Sequence, residues 1–316
     1  MKTFIYFYKI NFCIILIMAI GIIAEYNPFH NGHIYMINYI KNKFPNEEII
    51  VFMSGKYTQR GEIAVASFET RKKYVLEAGV SKVYELPFET STQAAHIFAQ
   101  GAIKMLYEYN VDKLIFGSET NDIDLFYKIA NTLKNNEQEY NLKLKEFLKQ
   151  GLGFPNASSL ALKSLVGYEI VMPNDILGLE YVKAIVNNNY NIQAYCLKRT
   201  INFHSEFTLE NFASASYLRT LIYKSEDISK YSPMIFETIP DRIENYYEEF
   251  KQKVISTSKE ELAKISLISE GLENRFKKIV LEAQDYDSFV NKANSKRYTS
   301  SRIKRIMLYI LLDIKK

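Results

Sequence analysis

Ala19-Ile20-Gly21-Ile22-Ile23-Ala24-Glu25-Tyr26-Asn27-Pro28-Phe29-His30-Asn31-Gly32-His33 begins as an unbroken apolar run and ends in a pair of histidines. A run without polar alternation reads as a parallel strand buried on both faces. Asn27 and Pro28 break the strand, and a helix is expected from about Asn31, a residue suited to the N-cap. The free amides of a first helical turn, with the helix dipole, attract anions. Gly32 carries no side chain, so phosphate oxygens can come close to its backbone. His30 and His33 stand three positions apart, which puts both rings on one side of that turn. Two imidazoles there can donate hydrogen bonds to phosphates as charge shifts at an α-phosphorus. A loop with two surface histidines and a structural glycine is the plain alternative. The position, directly after the first strand and at the first helix start, favours the phosphate reading.

Outward from this stretch, strands and helices alternate. Strands are predicted at Ala19–Glu25, Ile49–Ser54, Lys82–Leu86, Lys113–Gly117 and Ile192–Lys198. Helices are predicted at Gly32–Lys43, Phe68–Ala78, Ser91–Glu108 and Asn174–Asn187, with more helix inserted from Asn121 to Leu165 around a turn at Gly151–Pro155. The rhythm predicts an α/β class fold, a Rossmann-like parallel sheet with helices on both faces, whose ligands bind at the carboxyl ends of the strands. After Arg219 only helical patterns follow, at Asp241–Ser256, Lys259–Ile268, Glu273–Ala283 and Ser300–Ile314. The expected division is a sheet-bearing domain with the histidine turn over 18–224 and an all-helical domain over 225–316.

Composition is that of a globular chain of 316 residues, 47% hydrophobic and 24% charged, with a formal net charge of +4 that suits an anionic partner. Cys13 and Cys196 have neither metal-ligand spacing nor a disulfide framework, so a reducing cytoplasm is expected. No His/Cys/Asp/Glu spacing suggests a bound metal. Lys2 and Lys9 before the apolar run Phe12–Ala24 resemble a signal peptide. That run is short for a membrane span, which takes ~20 apolar residues. Its second half is also needed as the first strand. Met18 is therefore read as the start and residues 1–17 as an extension, with no stable membrane association; a signal or anchor is the alternative.

The His-x-Gly-His stretch resembles the superfamily of nucleotidyltransferases and class I aminoacyl-tRNA synthetases. That resemblance implies chemistry at an α-phosphorus and a second motif after the last strand for the β- and γ-phosphates. Ser214-Ala215-Ser216-Tyr217-Leu218-Arg219 is the candidate, with Ser214, Ser216 and Arg219 as the contacts. Longer segments narrow the family. Gly21–His33, Met53–Glu62 (Met-Ser-Gly-Lys-Tyr-Thr-Gln-Arg-Gly-Glu), Glu85–Phe88, Gln93–Ala102, Asn174–Tyr181 and Lys296–Ile303 are together similar to the bacterial tRNA(Met) cytidine acetate ligases. The resemblance runs from Met18 to the end of the chain. It implies two steps: acetate attacks the α-phosphate of ATP to give acetyl-adenylate, and N4 of the wobble cytidine (position 34) of elongator tRNA(Met) then takes the acetyl group. It implies His30 and His33 as catalytic residues. It implies ATP contacts at Ile23, Ala24, Glu25, Tyr26, Asn27, Pro28, Phe29, His30, Asn31, Gly32, His33, Ile34, Tyr35 and Met36, and at Gly117, Asn174 and Arg199, with Mg²⁺ arriving on the ATP. Gly117 ends a predicted strand, Asn174 precedes a helix it could cap, and a guanidinium at Arg199 can clamp phosphate oxygens.

The RNA side rests on the C-terminus. Lys292 to Lys316 holds eight basic residues and one acidic residue, with Tyr298 interleaved. Phosphate contacts are expected from Lys296, Arg297, Arg302 and Arg305, and an extruded base could stack on an aromatic ring. The alternative is a solvated face on a helix whose apolar side is Ile303, Ile306, Met307, Ile310 and Leu311. Gln59 and Arg60 are expected to face acetate or cytidine. Lys56 stands where the family commonly has Asn, and the family's C-terminal region usually runs further. A nucleotidyltransferase acting on a small phosphorylated acceptor, and a non-catalytic RNA-binding protein of this fold, are the other two functions the residues allow.

Overall fold

The computed structural model describes residues 18–170, 172–199 and 210–316. The extension 1–17, with Cys13, lies outside the described residues. Five strands, β1 (Ala19–Ala24), β2 (Glu48–Ser54), β3 (Lys82–Leu86), β4 (Lys113–Ser118) and β5 (Gln193–Lys198), form one parallel sheet in the order β3-β2-β1-β4-β5. Strand order reverses between β1 and β4, the place where such sheets open a ligand crevice. Pairing there covers only Ile20↔Lys113 and Gly21↔Leu114, so the two strands part before their carboxyl ends.

Helices α1 (Asn31–Lys43) and α2 (Phe68–Glu77) cover one face, burying Ile37, Ile40 and Val75 against Ile20, Ile22, Val51 and Met53. The short α3 (Phe88–Ser91) sends Phe88 toward the C-terminal helices, and the other face carries α4 (Ala95–Glu108), α5 (Ile123–Asn135), α6 (Glu137–Lys149), α7 (Phe154–Val166) and α8 (Pro173–Asn188). Its core holds Phe52, Phe98, Ile103, Phe116, Phe126 and Val182. Gly21 belongs to this face: a Cβ there would lie 2.7 Å from Leu106 Cδ2, so the glycine lets α4 close on the sheet.

After α9 (Ala215–Tyr223) the chain stays on the sheet unit for some distance. Ile228 packs with Val65 and Leu218, and Met234 enters the α1/α2 core. A 3₁₀ turn at Ile243–Tyr246 then leads to α10 (Tyr247–Ser256), α11 (Lys259–Leu262), α12 (Leu272–Ile279), α13 (Tyr286–Ala293) and α14 (Ser300–Leu311). Phe250, Phe276, Phe289, Ile306 and Tyr309 are among the buried residues of this second core.

Two helical expectations needed adjustment, and one helix was missed. The helix expected over Ser91–Glu108 is two, because the Thr92 hydroxyl turns back to Phe88 O (2.8 Å) and also meets Tyr309 Oη (2.9 Å). The helix expected over Lys259–Ile268 stops at Leu262, and Ile265 instead bridges to Lys315. Helix α13 was not anticipated; Asp285 starts it, accepting the Ser288 N–H at 2.7 Å. No helix among the described residues is long and apolar enough to cross a membrane.

Candidate active site

The α1 start differs from expectation in a way that bears on chemistry. His30, not Asn31, is the N-cap. Its Nδ1 accepts the Gly32 N–H at 3.1 Å, and His33 Nδ1 accepts the His30 N–H at 3.2 Å. Asn31 turns its amide away to Asn211 O (2.8 Å) and Lys230 O (3.1 Å), while its own N–H donates to Tyr231 O. A neutral imidazole whose Nδ1 is an acceptor carries its proton on Nε2. Both rings are thereby held as Nε2–H donors. The rings stack 3.7 Å apart, and Tyr26 and Phe29 close on His33. Burial, with Arg199 and Arg219 nearby, pushes His30 down to about 3. Enclosure, His30 and Arg199 push His33 well below its ordinary value. Neutral donors give directional hydrogen bonds to a phosphate without requiring an imidazolium.

The cleft beside them lies in the β1/β4 crevice. Ile23, Ala24, Glu25, Tyr26, Asn27, His30, His33, Met36, Gly117, Asn174, Arg199, Ser216 and Arg219 all line it, as do Gln59 and Arg60. Gly32 and Tyr35 border an adjoining recess with His30, Gly117 and Arg199. Pro28, Phe29, Asn31, Ile34 and Ser214 line neither. Phe29 is in the core, its carbonyl accepting Ser232 Oγ, and Ser214 caps α9 by accepting the Tyr217 N–H at 3.1 Å. Arg219 Nη1 donates to Asn27 O at 2.8 Å, tying the α9 motif to the turn before the histidines.

Asn174 does not cap α8, because Pro173 already occupies the first turn and Met172 is the N-cap. Its side chain bridges instead: Nδ2 donates to Glu119 Oε1, and Oδ1 accepts Arg199 Nη1 at 3.5 Å. Arg199 follows β5 and donates its N–H to Ser118 O, so it reaches back over the end of β4. A Cβ at Gly117 would sit 3.3 Å from Arg199 Cγ, tighter than a comfortable contact, so glycine leaves room for that side chain.

Supporting residues went unnoticed in the sequence. Asp175 is 1% exposed and accepts from Ser118 Oγ, Glu119 N (3.0 Å), Thr120 N (3.0 Å) and Thr120 Oγ1 (2.6 Å). It fixes the β4 exit loop under Asn174. Arg71, fully buried on α2, donates to the carbonyls of Glu25 and Gly55 and so joins the ends of β1 and β2. Such long-range pairs leave no local pattern to read.

The loop after β2 forms the other end of the cleft. Tyr57 bridges Ile63, and Gln59 N donates to Glu25 Oε1 at 2.7 Å. From α14, Lys304 pairs with Glu62 at 2.8 Å and Arg305 Nη1 donates to Gln59 O at 3.1 Å. Arg305 is accordingly buried. Lys296 and Arg297 are exposed; Arg297 pairs with Glu270 at 2.7 Å, and Arg302 donates to Ser269 Oγ while lying over Tyr298. Tyr298 is itself buried, its hydroxyl on Glu270 Oε2 at 3.0 Å. No group of three or more His, Cys, Asp or Glu among the described residues could hold a metal ion. Cys196 is a free thiol that burial pushes up to about 11.

A histidine pair at the first helix start, facing guanidinium and amide groups across the switch point of a parallel sheet, defines a HIGH-type nucleotidyltransferase site. The family model described as HIGH Nucleotidyl Transferase matches residues 17–316. The chain is 57% identical to the tRNA(Met) cytidine acetate ligase of Mycoplasmopsis pulmonis, over 94% of this chain and 100% of that protein. It is 34% identical to the enzyme of the same name from Anoxybacillus flavithermus, over 94% of this chain and 78% of that one. The crystal structure of apo Thermotoga maritima TmcAL superposes with a TM-score of 0.86 at 32% identity, covering 95% of this chain and 76% of that one. The form of that protein bound with alpha-thio ATP gives 0.85. The chain belongs to the tRNA(Met) cytidine acetate ligase family.

Proposed function

We propose that the chain is an ATP-dependent ligase that activates acetate as acetyl-adenylate and transfers the acetyl group to N4 of the wobble cytidine of elongator tRNA(Met). One observation carries the reading: a single cleft collects two neutral Nε2–H donors, Arg199, Arg219 and Asn174 at the β1/β4 switch point. Donors fixed before the substrate arrives stabilise charge that develops at an α-phosphorus, and each is worth roughly 10²–10³ in rate. The tRNA(Met) ligases that the chain resembles, and the alpha-thio ATP bound by the Thermotoga protein, support the same chemistry. Adenine and ribose would lie along Gly117 and the recess toward β5, with phosphates between the histidines and the α9 start. Mg²⁺ would come with the ATP phosphates, which usually supply much of its coordination. Lys296, Arg297 and Arg302 would meet RNA phosphates, and the reaction would take place in the cytoplasm.

Acetate-dependent exchange of pyrophosphate into ATP tests the first step. Exchange without an acetate requirement would instead indicate nucleotidyl transfer to another acceptor. Nucleoside analysis of tRNA(Met) from cells lacking the protein tests the second; persistence of N4-acetylcytidine would overturn the assignment.

A further inference from the structure

ATP, acetate and acetyl-adenylate are anions, yet Glu25 places a carboxylate in the cleft that would hold them. Like charge opposes their binding, so the side chain should serve something other than the nucleotide. The cleft has one other carboxylate, Glu62, which is paired with Lys304 at 2.8 Å. No salt bridge within 4.0 Å holds Glu25 among the described residues, although the charges of Arg60 and Arg219 act on it. Oε1 accepts the Gln59 N–H at 2.7 Å, and no described residue donates to Oε2. One oxygen is thus anchored while the other is available inside the cleft.

Its position is also specific. Glu25 follows the last residue of β1 and is held by Gln59 of the loop after β2, which lines the cleft with Arg60. That loop is braced by Lys304 and Arg305 of α14, in the unit with the exposed basic residues.

We infer that Glu25 is a catalytic residue of the acetyl-transfer step, accepting a hydrogen bond from the exocyclic amine of the cytidine and taking its proton. The inference rests on the ligase reading given above and deepens it. A carboxylate is the natural partner for the N4 amino group of cytosine, which offers donors only. In the step itself, the N4 lone pair attacks the acetyl carbonyl carbon of acetyl-adenylate. The bond from that carbon to the phosphate oxygen breaks, and its electron pair leaves with AMP. The surplus N4 proton passes to Oε2 of Glu25 and then to solvent. An exocyclic amine is a weak nucleophile, and a positioned base typically contributes about 10²–10⁴ in rate. Burial pushes the Glu25 carboxyl above its ordinary range, which makes it a better proton acceptor than a surface glutamate.

The test separates the two half-reactions. Enzyme carrying preformed acetyl-adenylate is mixed with excess unmodified tRNA(Met) transcript, and one turnover of acetyl transfer is timed. Acetate-dependent pyrophosphate exchange is measured on the same preparations. For Glu25→Gln, which keeps the shape and the bond to Gln59, the ratio of transfer rate to exchange rate should fall about 10²-fold or more. Glu25→Asp, which keeps a carboxylate, should recover part of that ratio, and it serves as the second variant if the glutamine form folds poorly. A ratio within about threefold of wild type in both variants, or equal losses in both half-reactions, would overturn the role. Wild-type protein that shows no acetate-dependent exchange would overturn the ligase reading itself.

Discussion

His33 Nδ1 accepts the backbone N–H of His30 at 3.2 Å while the two rings stack at 3.7 Å, so each histidine of the motif helps to fix the other. The helix start and the reactive donors are one device. His30→Asn should separate its two uses. Asparagine can cap the helix, so the melting temperature should stay close to wild type, whereas His30→Ala should lose about 1 kcal/mol. Both should lose roughly 10²–10³ in acetate-dependent exchange, because neither offers the Nε2–H. An asparagine variant with near-normal exchange would reduce the histidine to a cap.

The depressed His30 value sets a pH dependence. A histidine near 3 when folded and 6.5 when unfolded binds its proton only in the unfolded chain between those limits. Its neutral burial therefore costs nothing above about pH 6.5 and destabilises the fold as pH falls toward 3. The apo protein should lose about 2 kcal/mol on this account between pH 7 and pH 5. Denaturant melts of wild type and His30→Asn should diverge over that window in slope, with the variant the flatter.

Asp175 accepts from four donors around the β4 exit. Asp175→Asn replaces one acceptor oxygen by a donor facing other donors, at a cost of about 1–3 kcal/mol in stability. Because Asp175 ties the loop that carries Glu119 to the start of α8, where Asn174 meets that glutamate, KM for ATP should rise as well. A melt unchanged from wild type would mean that the loop holds without this carboxylate.

Arg297→Ala with Arg302→Ala tests the RNA face. Affinity for tRNA(Met) should fall, and the slope of log affinity against log salt should become shallower by about 1–2. Loss of tRNA-independent pyrophosphate exchange in this double variant would place the two residues with the nucleotide instead.

The sheet was legible because its strands are short apolar runs separated by helical periods, and all five fell where the pattern put them. The His-x-Gly-His turn was legible for the same local reason. What sequence reading missed was set by distant partners. Thr92 ends a helix because Tyr309 is there to meet it, and Arg71 is buried because the carbonyls of Glu25 and Gly55 converge on it. Asn31 looked like a cap by residue type; the carbonyls of Asn211 and Lys230 drew it away and left the role to His30. Helix α13 is different: Tyr286, Phe289, Val290 and Ala293 follow helical spacing behind the Asp285 cap, but the run is only eight residues, too short to stand out alone.

Helix α14 grips the loop after β2 twice, through Lys304 on Glu62 and Arg305 on Gln59, and Gly61 lies so close that a Cβ would reach 2.8 Å from Arg305 Cα. The loop that shapes one end of the cleft therefore has no position independent of that helix. A macromolecule docking on α14 and a small molecule filling the cleft share one mechanical element, and any energetic communication between them must be reciprocal: the factor by which one tightens the other is the factor returned.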